Sequence, residues 1–133
     1  MNKKKKKKVI LDTNFLLIPG QFKVDIFTQI ERIMEDTFIL CVVDKSITEL
    51  NKLVVVGKEK DRFAAKLALV LIRQKNLKTL HSFGSKKSVD DIIVKKADKN
   101  TFVATQDKDL RKKVRDKGAR IIGLRQKKYL VIT

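Results

Sequence analysis

Apolar and polar positions follow two rhythms along this chain, and the switches between them mark out its elements. Val9-Ile-Leu11, Phe38 to Val43, Leu77 to His81, Thr101 to Thr105 and Ala119 to Leu124 are short apolar runs that predict buried strands. Between them the spacing lengthens to the three and four of a helix. Asp25 to Glu35 places Ile26, Ile30, Ile33 and Met34 on one face, and Asp44 opens a helix that runs to about Val55 before Gly57. Asp61 to Lys75 predicts a long helix packed through Phe63, Leu67, Val70 and Leu71, with Ala64, Ala68 and Ile72 widening the stripe. Ser88 starts a helix carrying Ile92 and Ile93, and Asp107 to Lys117 forms another, closed by Gly118. Pro19-Gly20 reads as a turn behind the apolar segment Phe15 to Ile18, Ser82 to Lys87 as a polar loop, and Tyr129 to Ile132 as an added edge strand.

Strands that alternate with helices throughout predict an α/β fold with a mainly parallel sheet and right-handed crossovers. The 133 residues suffice for one self-supporting core, and no repeat or linker divides them. The expected organisation is a solvated tail over 1–8 and a single domain over 9–133.

Charge adds a partner to this picture. The formal net charge is +17, and its placement is uneven: residues 1–8 hold six lysines, and residues 108–128 hold ten Lys or Arg against Asp109 and Asp116. These two ends carry +14, while residues 9–107 are nearly balanced at +3. Such ends suit a polyanion, as a phosphate-contacting arm and surface. Cys41 is the only cysteine, within an apolar run, which excludes an internal disulfide and a cysteine-rich zinc site and suits a reducing cytoplasm. The lysines before Val9 imitate a signal peptide, but Asp12 and Asn14 interrupt the apolar stretch, and no run approaches the ~20 residues of a membrane span. The expected location is cytoplasmic, with no membrane partner.

Four acids stand at comparable places. Asp12 follows the first strand, Glu49 and Asp91 lie in the first turns of helices, and Asp107 follows Val103-Ala-Thr105. All four would project from the edge where parallel strands end and helices begin, the edge at which such sheets bind ligands. Local structural roles compete with a shared site. Ser46-x-x-Glu49 and Ser88-x-x-Asp91 fit the capping box, and Asp107 suits a helix N-cap, with Asp109 favourable in the first turn and four residues before Lys113. Asp12 has no such local explanation. Two carboxylates about 5 Å apart repel by roughly 3 kcal/mol at an effective dielectric near 20, so a cluster would need a proton or a cation. Oxygen donors with a single histidine, His81, favour Mg²⁺ or Mn²⁺ over Zn²⁺.

Leu-Asp12-Thr-Asn14, Ser46-Ile-Thr-Glu49-Leu, Val-Asp90-Asp91-Ile-Ile-Val and Ala-Thr105-Gln-Asp107-Lys-Asp109-Leu together resemble the PIN-domain ribonucleases over nearly the whole chain. The resemblance implies a three-layer α/β/α fold around a mainly parallel sheet of about five strands. It implies catalytic, metal-binding acids at Asp12, Glu49, Asp91 and Asp107, supported by Asn14, Thr105 and Asp109, with Asp90 as the alternative to Asp91, and one or two Mg²⁺ or Mn²⁺ ions. Asp-Lys-Asp-Leu-Arg-Lys-Lys followed by Gly-Leu-Arg-Gln-Lys-Lys-Tyr is more similar to the PIN proteins of small-subunit ribosomal RNA processing than to VapC-type toxins. The lone cysteine departs from larger eukaryotic relatives with a cysteine-based metal site and fits a compact archaeal form.

The expected activity is hydrolysis of RNA phosphodiesters, leaving a 5′ phosphate and a 3′ hydroxyl, on precursor ribosomal RNA, with ribosome-assembly proteins or a second copy as further partners. Lys108, Arg111, Lys112 and Arg115 share one face of their helix, opposite Leu110 and Val114, and Arg125, Lys127 and Lys128 extend the basic surface, with Tyr129 available for stacking. A VapC-type toxin ribonuclease and a non-catalytic RNA-binding assembly factor are the competing expectations.

Overall fold

The computed structural model describes residues 6–133. The phosphate-contacting arm expected over 1–8 lies outside these up to residue 5. Lys6 is exposed, but Lys7 and Lys8 already belong to β1 (Lys7–Leu11), so the domain starts two residues before Val9. The alternation there explains why: Lys7 and Lys8 pair with Phe38 and Ile39, and the two ammonium groups donate to Asn100 Oδ1 and Lys96 O at the sheet margin.

Three helices follow, α1 (Thr13–Leu16), α2 (Ile18–Phe22) and α3 (Ile26–Ile33). Then come β2 (Phe38–Val43), α4 (Asp44–Val56), α5 (Glu59–Gln74) and β3 (Lys78–Leu80). The chain continues through α6 (Val89–Lys96), β4 (Thr101–Ala104), α7 (Lys108–Asp116), β5 (Arg120–Arg125) and β6 (Tyr129–Ile132). One sheet holds all the strands in the order β3-β2-β1-β4-β5-β6. Its first five strands are parallel and β6 pairs antiparallel with β5, so the expected five-stranded parallel sheet gains the edge strand anticipated at Tyr129.

Both faces of this sheet are covered. Val9, Leu11, Phe102, Ala104 and Ile122 face a core closed by α1–α5, while Ile10, Cys41, Val103 and Ile121 face a second core closed by α6 and α7. This two-residue alternation with apolar residues on both sides makes three layers. Cys41 is fully buried, and desolvation raises its thiol pKa, as an inert core thiol requires. No helix among the described residues is long and apolar enough to cross a membrane.

Two expectations are corrected here. Pro19-Gly20 is not a turn: Pro19 occupies the first turn of α2, where its missing N–H costs nothing. Gly20 lets α2 lie directly on α5, since a Cβ there would stand 2.5 Å from Ala64 Cα. That close approach also rotates α5. Its buried line is Ala64, Ala65 and Ala68, whereas Phe63 and Val70, expected in the core, are 61% and 49% exposed. Small side chains win the interface because the backbones meet there.

Candidate active site

The strand order reverses between β1 and β4, leaving a crevice at their carboxyl ends. Asp12 stands in it. Its N–H donates to Ala104 O, extending the β1–β4 ladder by one residue and setting where the side chain emerges. Asp12 Oδ1 accepts from the Thr13 N–H at 2.8 Å and Oδ2 from the Thr105 hydroxyl at 2.9 Å. Asp12 thus has the local role that its sequence context did not suggest, as the N-cap of α1. With only 6% of its surface exposed, the carboxyl is pushed up to a pKa of about 6. Desolvation is the main cause, the Thr105 bond opposes it, and the Asp90 and Asp107 carboxylates raise it further.

Asp12 forms one wall of a cavity of about 620 Å³ that Asn14, Glu49, Asp90 and Asp107 also line. Each wall comes from a different element. Asp107 caps α7, its Oδ1 accepting from the Leu110 N–H, and its own N–H donates to Thr105 Oγ1. Asp107 therefore both caps α7 and lines the cavity. The Thr105 hydroxyl is buried beneath, joining Asp12 to the start of α7.

Glu49 is not a capping-box acid. The helix begins at Asp44, which puts Ser46 inside it and fully buried. Ser46 Oγ lies 2.7 Å from Thr13 Oγ1, which is 3.3 Å from Glu49 Oε1. A proton donated by Ser46 into Thr13 would free the Thr13 hydroxyl to donate to Glu49, so this pair positions the acid. Neither hydroxyl was expected in the site. Lys45 and Thr48, also on the wall, were equally unexpected, although positions 45, 48 and 49 fall on one helical face, a spacing that could have found them.

The third helix-borne acid is Asp90. Ser88 caps α6 by accepting from the Asp91 N–H, and successive residues in that first turn point about 100° apart. Asp90 consequently lines the cavity, half-buried, while Asp91 is exposed and off its wall; Asp109 is off it too. The register of the cap thus brings Asp90, and not Asp91, onto the cavity wall. Burial raises the Asp90 pKa, Asp107 and Asp91 add to it, and the Lys113 ammonium from α7 opposes it.

The site thus gathers carboxylates from four elements, and burial first, with neighbouring carboxylates after it, disfavours ionisation of Asp12 and Asp90. Positive counterweights are Lys45 and the N-terminal ends of α4, α6 and α7, whose free N–H groups favour anions. Lys45 Nζ donates to the carbonyls of Ser85 and Lys87, and Asp44 Oδ2 accepts from Ser82 N–H and Oγ, so the first turn of α4 holds the loop that forms the rim. The wall offers oxygen donors and no histidine or cysteine, which suits a hard divalent ion. Among the described residues, no three acid, histidine or cysteine side chains are yet drawn close enough to clasp one.

The basic face is less uniform than its spacing suggests. Leu110 and Val114 are buried and Lys108 and Lys112 exposed, as expected. Arg111 instead turns inward. Its Nε donates to Thr105 O and its Nη2 to Gln106 Oε1, while Gln106 Nε2 donates to Leu124 O and Oε1 accepts the Leu124 N–H. Gly123 makes room for this brace, since a Cβ there would lie 2.9 Å from Arg111 Nη2. Desolvation, then Arg115 and Arg125, lower the Arg111 pKa. Arg115 Nη2 donates to Thr133 Oγ1, and Arg125 at the end of β5 and Lys127 and Lys128 beyond it are exposed.

A family model described as a PIN like domain matches residues 9–127, every strand but the last and all seven helices. This chain belongs to the PIN-like domain family. Its PIN-like domain is 31% identical over 127 residues to Ribonuclease VapC4 of Methanocaldococcus jannaschii, covering 94% of this chain and 95% of that protein. The solved PIN domain endonuclease Utp24 superposes with a TM-score of 0.74 at 26% identity, over 94% of this chain and 90% of the other. A domain of a functionally unknown Methanocaldococcus jannaschii protein superposes at 0.58 over 90% and 91% of the two chains, and at 16% identity it bears on the fold alone.

Proposed function

We propose that this PIN-like domain is a divalent-metal-dependent endoribonuclease that hydrolyses RNA phosphodiesters. The observation that carries this reading is the meeting of Asp12, Glu49, Asp90 and Asp107 from four elements on one cavity at the reversal point of the sheet. Capping of α1 and α7 accounts for Asp12 and Asp107 singly, but no cap brings Glu49 and Asp90 beside them. The likeness to Ribonuclease VapC4 and to the PIN domain endonuclease Utp24 supports the same chemistry.

Asp12, Glu49, Asp90 and Asp107 are the residues that would hold one or two Mg²⁺ or Mn²⁺ ions. Such an ion, when bound, would supply charge neutralisation for a phosphate and lower the pKa of an attacking water. Asp12 is fixed by Thr13 and Thr105, and Glu49, exposed on α4, is held through the Thr13 hydroxyl beside it. Water adds to phosphorus, the bond to the 3′ oxygen breaks, and that oxygen takes a proton, leaving a 5′ phosphate and a 3′ hydroxyl. Asn14 is placed on the wall to orient the phosphate, with Lys45 offsetting its charge. Lys108 and Lys112 on α7, with Arg125, Lys127 and Lys128, would track the backbone on either side.

The substrate we favour is precursor ribosomal RNA, supported by the resemblance of residues 107–113 and 123–129 to the PIN proteins of ribosomal RNA processing and by the basic ends of the chain. The 31% identity to Ribonuclease VapC4 supports a second reading, a toxin ribonuclease. One experiment tests the chemistry: calorimetric Mn²⁺ titration of the wild type and Asp12→Asn, with cleavage of a labelled structured RNA. Mn²⁺ binding and cleavage by the wild type alone are expected; equal cleavage by Asp12→Asn would refute the site. Growth arrest on expression, relieved by Asp12→Asn, would favour the toxin. Tight RNA binding without any cleavage would leave a non-catalytic platform.

A further inference from the structure

Asn14 also belongs to a second cavity, of about 470 Å³, on the side of the site away from α6. Its chemistry is the reverse of the first. No acid lines it, and Lys127 is its only charged wall residue. The Phe22 ring, 38% exposed at the end of α2, offers an aromatic face, and Lys127 Nζ sits 5.3 Å from the ring centroid. The exposed amides Gln21 and Gln126 stand on the wall, and Leu124 is buried against it.

The turn that brings in Lys127 is an unfavoured one for its residues. Gln126 and Lys127 have φ of 53° and 54°, the left-handed region that hairpin turns usually fill with Asn or Gly. Gln29 pins the turn, its Nε2 donating to Lys128 O and its Oε1 accepting the Leu130 N–H. The side chains of both turn residues stand on the cavity wall.

We infer that this cavity is a nucleobase subsite, which takes the base of the nucleotide next to the scissile phosphodiester of single-stranded RNA. The base stacks on Phe22, its edge meets Gln21 and Gln126, and Lys127 moves from the ring to the adjoining phosphate. The inference rests on the nuclease reading for its neighbour, because Asn14 joins the two cavities, but it is tested by binding alone. Stacking on an aromatic side chain tolerates any base, so the subsite supplies affinity and register with weak sequence choice.

The test uses the full chain carrying Asp12→Asn, so that RNA is not cut, and a fluorescent single-stranded RNA with an abasic site walked along it. Fluorescence anisotropy should show Phe22→Ala weakening binding of the intact RNA about tenfold and Phe22→Tyr by less than about twofold. One abasic position should weaken binding to the Phe22-bearing protein about tenfold and add nothing in Phe22→Ala. An abasic penalty that persists undiminished in Phe22→Ala at every position, or a Phe22→Ala protein that binds like its parent, overturns the subsite, as does a parent that binds no RNA. Cleavage of the same RNA by the wild type is scored separately. Coupling without cleavage keeps the subsite and removes the nuclease; cleavage without coupling does the opposite.

Discussion

Asp12 and Asp90 share a cavity but are held in opposite ways. Asp12 is at the centre of the sheet, nearly inaccessible, with both oxygens bonded and its backbone stitched into the β1–β4 ladder. Asp90 rides the first turn of a helix, half-buried, its pKa raised by burial first and then by the Asp107 and Asp91 carboxylates. The difference teaches how such a site divides its labour. The Asp12 carboxylate is fixed by hydrogen bonds to its oxygens, whereas Asp90 is placed by the register of its helix.

The sharpest way to break this comparison is to remove the fixed acid. Asp12→Asn should lower single-turnover RNA cleavage by at least about 10³-fold, the scale of losing a main electrostatic contact to the reacting group. A loss below about tenfold would mean that the centre of the sheet is not the centre of the chemistry. Next in size is the contrast between neighbours. Asp90→Asn should cost about 10²-fold and Asp91→Asn less than about twofold, because only Asp90 reaches the cavity. The reverse order would place the α6 cap one residue out of register.

Protonation offers a third test. In the folded chain Asp12 titrates near pH 6, against its ordinary value of 3.8. The folded state thus gains stability from this group that is complete below about pH 4 and lost as the pH rises through about 6. Without divalent ions, Asp12→Asn should be the more stable protein at pH 8, by no more than about 3 kcal/mol, and the advantage should vanish near pH 4. Saturating Mn²⁺ should reverse the order by stabilising the wild type alone. Denaturation at several pH values decides it, and a difference independent of pH would contradict a desolvated carboxyl.

The smallest effects separate the two arginine and lysine neighbours on α7. Arg111→Ala should destabilise by about 1–2 kcal/mol, since it leaves the Thr105 carbonyl without its charged donor. Lys112→Ala should leave stability within about 0.5 kcal/mol and instead reduce the salt dependence of RNA binding by about one phosphate contact. Equal stability losses would show that the brace does not hold the loop.

The strands and the helices that carry the site were legible in the order of residues because both depend on local periodicity. Phe38 to Val43 is a strand as read, and the α7 face of Leu110 and Val114 is buried as read. Asp12, Glu49 and Asp107 stand on the cavity that their element ends suggested. What failed depended on how elements approach each other. Phe63 and Val70 carry the larger apolar side chains, yet the contact between α2 and α5 admits only Gly20 against Ala64 and its neighbours. Arg111 shares a helical face with free lysines, and only the position of Gly123 on a distant strand turns it inward.

By itself the sequence determined that this is an α/β chain with acids at the carboxyl edge of a parallel sheet and its charge at the ends, since periodicity, capping residues and composition act over a few neighbours. Only the tertiary structure decided that Asp90 rather than Asp91 meets Asp12, that Thr13 and Ser46 support Glu49, and that Asn14 opens onto a second, acid-free cavity. Those outcomes depend on helix register and on contacts between residues tens of positions apart, where a rotation of one residue, about 100°, moves a side chain from the site to solvent.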